Sequence, residues 1–480
     1  MRGVWTAQQV REAEAVLLDR TREGALMRRA AFGLAAHARR MLAARGRVAG
    51  RRVALLVGAG NNGGDALWAG VELRRRGVGV TAVLLDPDRA HPAGLAALRR
   101  AGGRFVDAEA GLVAELGADL VIDGIVGISG RGALREPAAG LVAAVERAGV
   151  PVLAVDLPSG VDPDTGAVDG PAVTAAATVT FGALKPVHVL AAARCGPVHL
   201  VDLGLGPLLP PPHAWVLDAA DVAARWPVPG PADDKYSQGV VGIAAGSATY
   251  PGAAVLATGA AALATSGMVR FAGGAAPGVR DHWPEVVTTE SAQDAGRVQA
   301  WAVGPGIGTD DAGRAVLAET IARGVPLCVD ADAITLLAQH PDLRADVRGR
   351  PVVLTPHDRE FARVAGEVGA DRIAAARRAA ADLGVTVLLK GNATVVAEPG
   401  GRVLVHPASS SWAATAGSGD VLTGMTGSLL AAGLEPWWAA GCATYVHDVA
   451  AGLAADGAPA PASRLQAALP GAIRRVRGAD

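Results

Sequence analysis

The sequence predicts a two-domain α/β protein, each domain a three-layer αβα arrangement on a largely parallel sheet. Three observations carry this. Short runs rich in Val, Leu and Ala end in Gly, Asp or Ser; segments of 3.6-residue apolar spacing separate them; and a proline cluster in GLGPLLPPPHAWVL (204–217) interrupts the alternation. A chain of 480 residues is long enough for several domains of roughly 100–200 residues whose cores need no staple. The proline cluster extends neither a helix nor a central strand, so the boundary is placed near Pro212, giving domains 1–212 and 213–480.

In order along the chain, TAQQVREAEAVLLDR (6–20) and ALMRRAAFGLAAHARRML (25–42) have helical period. RRVALLVGAG (51–60), VGVTAVLLD (78–86), GADLVIDGIVG (117–127) and VPVLAVDLPSG (150–160) read as strands, with helix-length segments such as GDALWAGVELRRRG (64–77) between them. Strands recur in GVVGIAAG (239–246), VQAWAVGPG (298–306), VPLCVDAD (325–332), RPVVLTPH (350–357) and VTVLLKG (385–391).

Composition excludes several classes. Lys+Arg 45 against Asp+Glu 46 leaves a net charge of −1, which argues against a nucleic-acid partner. Cys195, Cys328 and Cys442 make no metal-ligand spacing and no disulfide framework, so a reducing cytoplasm fits. Glu12 and Glu14 fall where an export signal would need apolar residues. The uncharged stretch between Lys235 and Arg270 is broken by Gly and Pro, so no membrane span is expected. Lysine occurs only at 185, 235 and 390 and asparagine only at 61, 62 and 392. In a chain that uses arginine almost everywhere else, these mark positions where a compact ammonium or an amide has no substitute.

GAGNNGGDALWAG (58–70) follows a strand and opens a helix. Its glycines let backbone approach a ligand, and the helix start offers free N–H groups to a phosphate; a simple tight turn is the competing reading. IDGIVGISGRGALREP (122–137), VLAVDLPSGVDPDTG (152–166) and TVTFGALKPVHVL (178–190) bring further strand ends to the same crevice, setting Asp123, Asp156, Ser159 and Lys185 near Asn62. Mixed oxygen ligands with few carboxylates favour a monovalent cation. Asp162 and Asp164 read as loop-shaping residues.

The second set is SWAATAGSGDVLTGMTGSLLA (411–431), VTVLLKGNATVV (385–396), KYSQGVVGIAAGSATYPGAAVLA (235–257), AVGPGIG (302–308), CVDADAI (328–334) and LTPHDREF (354–361). AGSGD places backbone N–H groups and a carboxylate at a helix start, where a phosphoryl group can be held while Asp420 accepts a proton. KGNAT suits a nucleotide phosphate or is a plain hairpin turn. His357, after a proline, is expected to meet a ligand.

GNNGGD, IDGIVGISGRG, VDLPSGVDPDTG and TFGALKP closely resemble the epimerase domain of the bifunctional NAD(P)H-hydrate repair enzymes, over about residues 1 to 210. The resemblance implies a Rossmann-like αβα domain in which Asn61, Asn62, Gly63, Gly64, Asp65, Gly127, Ile128, Ser129, Gly130, Arg131, Gly132, Ala133 and Asp156 hold the hydrated dinucleotide. It also implies a potassium ion on Asn62, Asp123 and Ser159. Ala66 and Leu67 stand where a glycine is commoner in the family.

The later strings resemble the dehydratase domain of the same enzymes, a branch of the ribokinase-like superfamily, over about residues 215 to 480. No Walker-type phosphate loop is present. The resemblance implies that Lys390, Gly391, Asn392, Ala393, Thr394 and Gly419 bind ADP with magnesium, while Ala254, Gly306, His357 and Asp420 face the substrate. Thr335 replaces a frequent asparagine.

The function implied is metabolite repair of hydrated NADH and NADPH: epimerisation of the C6 hydrates, with Asp156 and Lys185 trading protons, and ADP-dependent dehydration of the S form with Asp420 as base. Small-molecule substrates, a homo-oligomer, and no nucleic-acid or membrane partner are expected. The rival readings are a ribokinase-like small-molecule kinase with a regulatory N-terminal domain, and an N-terminal ligand-binding scaffold.

Overall fold

The computed structural model describes residues 1–108, 117–265 and 267–478. The chain divides into two compact units, Gly3–Ala214 and Met1–Arg2 with Trp215–Asp480.

The chain opens with a short β1 (Arg2–Val4), and the strands of the first unit's sheet are β2 (Arg52–Val57), β3 (Gly79–Leu84), β4 (Arg104–Asp107), β5 (Leu120–Gly124), β6 (Val152–Val155), β7 (Ala177–Phe181) and β8 (Val198–Val201). They form a seven-stranded sheet in the order β4-β3-β2-β5-β6-β7-β8, parallel at every pairing. The central strands are unbroken apolar runs because helices cover both faces: β2, β5, β6 and β7 are buried almost throughout. Strand order reverses between β2 and β5. In a parallel α/β sheet that reversal opens a crevice at the carboxyl ends.

The second unit continues with β9 (Ala214–Val216), β10 (Val240–Ala244), β11 (Met268–Ala272), β12 (Val287–Thr289), β13 (Ala300–Val303), β14 (Leu327–Val329), β15 (Val352–Leu354), β16 (Thr386–Leu389), β17 (Ala393–Ala397) and β18 (Val403–Pro407). Its sheet runs β9-β18-β17-β16-β15-β14-β13-β10-β11-β12, with the reversal between β10 and β13. The pairings β16–β17 and β17–β18 are antiparallel, and the others from β16 to β12 are parallel. Helix Ser418–Ala431 is buried from Val421 to Ala431. A helix that is apolar all round belongs in a core, and this one packs into the main apolar cluster with Phe271, Trp437 and helix Pro251–Ala264.

The strand read at 385–391 turns at Lys390–Asn392 into β17, so the hairpin turn offered for KGNAT is formed. One local reading changes. The NNGGD string is not a loop but the first turns of helix Asn61–Arg74. Among the described residues no helix is long and apolar enough to cross a membrane.

Candidate active sites

The N-terminal crevice is built from the ends of β2, β5, β6 and β7. Gly60 caps helix Asn61–Arg74 in an extended conformation without a side-chain cap. A Cβ on Gly63 would lie 2.2 Å from the Gly58 carbonyl oxygen, so only glycine lets the helix start this close to the strand it follows. Asn61 is exposed, while Asn62, Gly63, Gly64 and Asp65 are buried. The Asn62 amide donates to the carbonyls of Val155 (2.6 Å) and Val126 (3.2 Å), joining three strand ends.

Asp123 and Ser159 meet below it. The Ser159 hydroxyl donates to Asp123 Oδ1 at 2.7 Å, its N–H to Oδ2 at 2.9 Å, and its Oγ accepts from the Val126 N–H at 3.0 Å. The 127–133 segment follows. A Cβ on Gly127 would stand 2.7 Å from Asn62 Oδ1, so the amide oxygen faces that loop. Gly130, Arg131, Gly132 and Ala133, with Val126 and Val161, line a cavity of about 290 Å³. Arg131 donates to Asp164 at 3.1 Å, and Ser129 accepts from Arg11 at 3.4 Å; Ile128 packs beside the cluster of Leu157 and Val187. Asp162 accepts from the N–H groups of Asp164 and Thr165, a loop-shaping role.

Asp156 is held from every side. Its φ of 67° is left-handed, rare for a residue with a side chain. Its N–H donates to the Val179 carbonyl at 2.7 Å. Its carbonyl accepts from His188 Nε2 at 2.8 Å, while the Lys185 N–H donates to His188 Nδ1 at 2.9 Å, which fixes the neutral tautomer. Oδ1 accepts from the Lys185 ammonium at 2.6 Å and the Thr180 hydroxyl at 2.9 Å. Lys185 is 1% exposed and also faces the Phe181 and Ala183 carbonyls.

The charges divide accordingly. Burial would raise the Asp156 carboxyl, but the Lys185 ammonium overrides it and holds it below the ordinary range. Burial, then the charges of Asp156 and Glu14, push Asp65 well above that range. Glu14 is raised by burial, against Lys185. Burial likewise raises Asp123 and lowers His188 to about 4.

The second crevice surrounds the start of helix Ser418–Ala431, whose N-cap Gly417 has φ 86° and no side-chain cap bond. The Gly419 and Asp420 N–H groups have no partner among the described residues. A Cβ on Gly419 would lie 3.6 Å from Lys390 Nζ and 3.7 Å from Asp330 Oδ2, so this turn, Lys390 and Asp330 are neighbours. Lys390 donates to Asp330 Oδ1 at 2.8 Å and stands 3.8 Å from Glu360, while the Thr423 hydroxyl donates to Asp330 Oδ2 at 2.7 Å. Burial alone would lower the Lys390 ammonium; Asp330 and Glu360 outweigh it and raise it. Asp420 is pushed up to about 7, by burial first and then by Asp330, against the nearby Lys390.

The other expected residues are spread around this centre. Gly391 and Asn392 are exposed at the hairpin tip, and Ala393 and Thr394 begin β17. Gly306, at φ 66°, and buried Ala254 share a wall where the Gly246 N–H donates to the Pro305 carbonyl at 2.6 Å. His357 caps helix Asp358–Ala365: Nδ1 accepts from the N–H groups of Arg359 and Glu360, and Glu360 returns a bond to the His357 N–H at 2.9 Å. Thr335 accepts from Arg363.

A family profile described as NAD(P)H-hydrate dehydratase matches residues 241–470, and one described as YjeF-related protein N-terminus matches residues 23–187. The bifunctional NAD(P)H-hydrate repair enzyme of Mycobacterium tuberculosis is 60% identical over 438 residues, 90% of each chain. The chain belongs to this family. The repair enzyme of Mycobacterium leprae is 57% identical over 462 residues, 96% of each chain. A ribokinase-like superfamily protein from Enterococcus faecalis matches with a TM-score of 0.51 at 22% identity, covering 55% of this chain and 96% of that one; this bears out the ribokinase-like fold expected of the second unit.

In this member of the NAD(P)H-hydrate repair family, six side chains in the two crevices were not singled out as site residues from the sequence: Glu14, Thr180, His188, Asp330, Glu360 and Thr423. CVDADAI and LTPHDREF contain two of them, so strand-end position was the available signal.

Proposed function

We propose that this chain repairs NADH and NADPH whose nicotinamide ring has taken up water at C6. The N-terminal domain interconverts the R and S hydrates, and the C-terminal domain dehydrates the S form at the expense of ADP, releasing AMP and phosphate. One arrangement carries this reading: Asp420, which burial and Asp330 push up to about 7, stands at a helix start where its own N–H and that of Gly419 have no partner among the described residues and the Lys390 ammonium lies close to Gly419. A base, an anion hole and a fixed cation are what phosphoryl transfer to a hydroxyl requires.

Hydroxide is a poor leaving group from C6, whereas phosphate is a good one. Asp420 takes the hydroxyl proton as the oxygen attacks the terminal phosphorus of ADP, and the bond from that phosphorus to the bridging oxygen breaks, leaving AMP. The Gly419 N–H and Lys390 stabilise charge on the phosphoryl oxygens. The ring nitrogen then expels phosphate, and loss of a proton from C5 completes the C5–C6 double bond. Asp330 and Glu360, the carboxylates beside Lys390, would hold the magnesium that comes with ADP, and the ion would offset charge on the phosphates.

In the first crevice Asp156, against its burial, is held below the ordinary carboxylate range by Lys185, while burial and the charges of Asp156 and Glu14 push Asp65 well above it, a separation of the kind that acid and base roles use. Lys185 keeps Asp156 ionised and lies in line to share its proton. One carboxylate, one amide and one hydroxyl, from Asp123, Asn62 and Ser159, suit potassium better than a divalent ion. Potassium there would supply a positive charge for the dinucleotide phosphates. The deciding experiment is incubation with chemically hydrated NADH, with and without ADP. ADP-dependent recovery of the absorbance of the reduced nicotinamide supports the reading, and a stable phosphorylated product would instead mark a small-molecule kinase.

A further inference from the structure

We propose that His447 is a positioning residue for phosphoryl transfer: by donating to the Ser418 carbonyl it fixes and polarises the Ser418–Gly419 peptide, whose N–H faces the transferring group. This rests on the reading of Gly419 and Asp420 given above.

His447 lies on helix Pro436–Ala455, buried, with Nε2 2.9 Å from the Ser418 carbonyl oxygen. A carbonyl only accepts, so Nε2 carries the proton. Burial holds the imidazole below its ordinary pKa, which keeps it a neutral donor.

The bond is not required to satisfy Ser418. Inside an α-helix that carbonyl is already served by the N–H four residues on. What the second bond adds is electrical and geometric. The Ser418 carbonyl and the Gly419 N–H are the two ends of one amide, so drawing density toward the oxygen leaves the N–H a stronger donor. That N–H is one of the two at this helix start without a partner among the described residues. A donor fixed before the reaction costs no reorganisation when charge develops on the phosphoryl oxygen.

The neighbouring residue secures the other end of the same loop. Asp448 Oδ1 accepts from the Ser409 N–H and hydroxyl, each at 3.1 Å, and Asp448 Oδ2 is 3.3 Å from His406 Nε2. Two consecutive residues of one helix thus pin the 408–417 loop where it leaves β18 and where it enters the glycine-rich turn.

The test compares the full chain with its His447→Leu, His447→Phe and His447→Gln variants, using hydrated NADH and ADP. Leucine and phenylalanine remove the donor, phenylalanine keeping the ring volume should the smaller side chain unfold the helix pair. Glutamine retains an N–H. The expected result is a kcat for dehydration about tenfold lower without the donor, milder than loss of a whole anion-hole donor, with the KM for ADP little changed and most of the kcat recovered by His447→Gln. A parental kcat in the donorless variants, an equal loss in all three, or a fall confined to melting temperature overturns the proposal. A parent chain that dehydrates nothing overturns the functional reading itself, and this inference with it.

Discussion

Asp420, the proposed base, sits in a place that disfavours charge. Burial and the Asp330 carboxylate raise it to about 7 while Lys390 limits the rise, so its working form appears only as pH climbs through neutrality. Dehydration is therefore expected to increase through about pH 7 and level off above it. Asp420→Asn should leave ADP binding nearly intact and lower turnover by about 10² or more, the usual scale for a positioned base; undiminished turnover removes the assignment. The same substitution has a signed effect on stability. The folded pKa lies above the ordinary 3.8 of an aspartate, so the carboxyl's favourable share is complete below that value and lost as pH rises through about 7. Melting curves should show Asp420→Asn gaining over the parent from mildly acidic pH upward and holding a constant gain above neutrality. Asp420, Lys390, Lys185 and Asn62 were legible because they stand in rare strings or are rare residues. Asp330 and Thr423 were not, because the partners lie 93 residues apart and nothing local to either marks the other.

Among the elements, the two glycine-rich helix starts use glycine for different physical reasons, and alanine separates them. At Gly63 an added Cβ meets the Gly58 carbonyl at 2.2 Å, a backbone atom that cannot swing aside. Gly63→Ala should lower the stability of the N-terminal unit by at least ~1–3 kcal/mol, the usual cost of overpacking, visible as a lower melting temperature. At Gly419 the added Cβ meets only ordinary contacts, 3.6 Å from Lys390 Nζ, and alanine is the better helix former. Gly419→Ala should fold as well as the parent, yet its methyl stands where a phosphate oxygen would approach Lys390. The KM for ADP should rise by about tenfold, equivalent to ~1.4 kcal/mol; a KM unchanged in a folded variant would take the nucleotide away from this turn. Central strands were legible because burial on both faces leaves continuous Val and Leu. The edge strands β4, β8 and β12 and the inner strand β11, none of them read from the sequence, have exposed or intermediate positions that dilute that signal, whereas the KGNAT string did offer the hairpin turn that follows β16.

At the scale of the whole molecule, each unit has its own sheet, its own order reversal and its own apolar cluster, with the division at Ala214 and Trp215. The proposed function gives a reason for one chain to hold both sites: with dehydration taking one epimer at C6, a mixed pool would clear only if the other epimer were returned to it. Separated fragments turn that into a test. A fragment ending at Ala214 should interconvert the two hydrates with no nucleotide present. A fragment beginning at Trp215, supplied with ADP, should convert the S share of a mixed substrate promptly and then slow to the rate of spontaneous interconversion. Adding the first fragment should release that stall without raising the initial rate. If the first fragment folds but interconverts nothing, its crevice depends on residues beyond Ala214. If the second clears the whole mixture at one rate, it does not discriminate between the epimers, and the repair reading loses its reason for pairing the two sites.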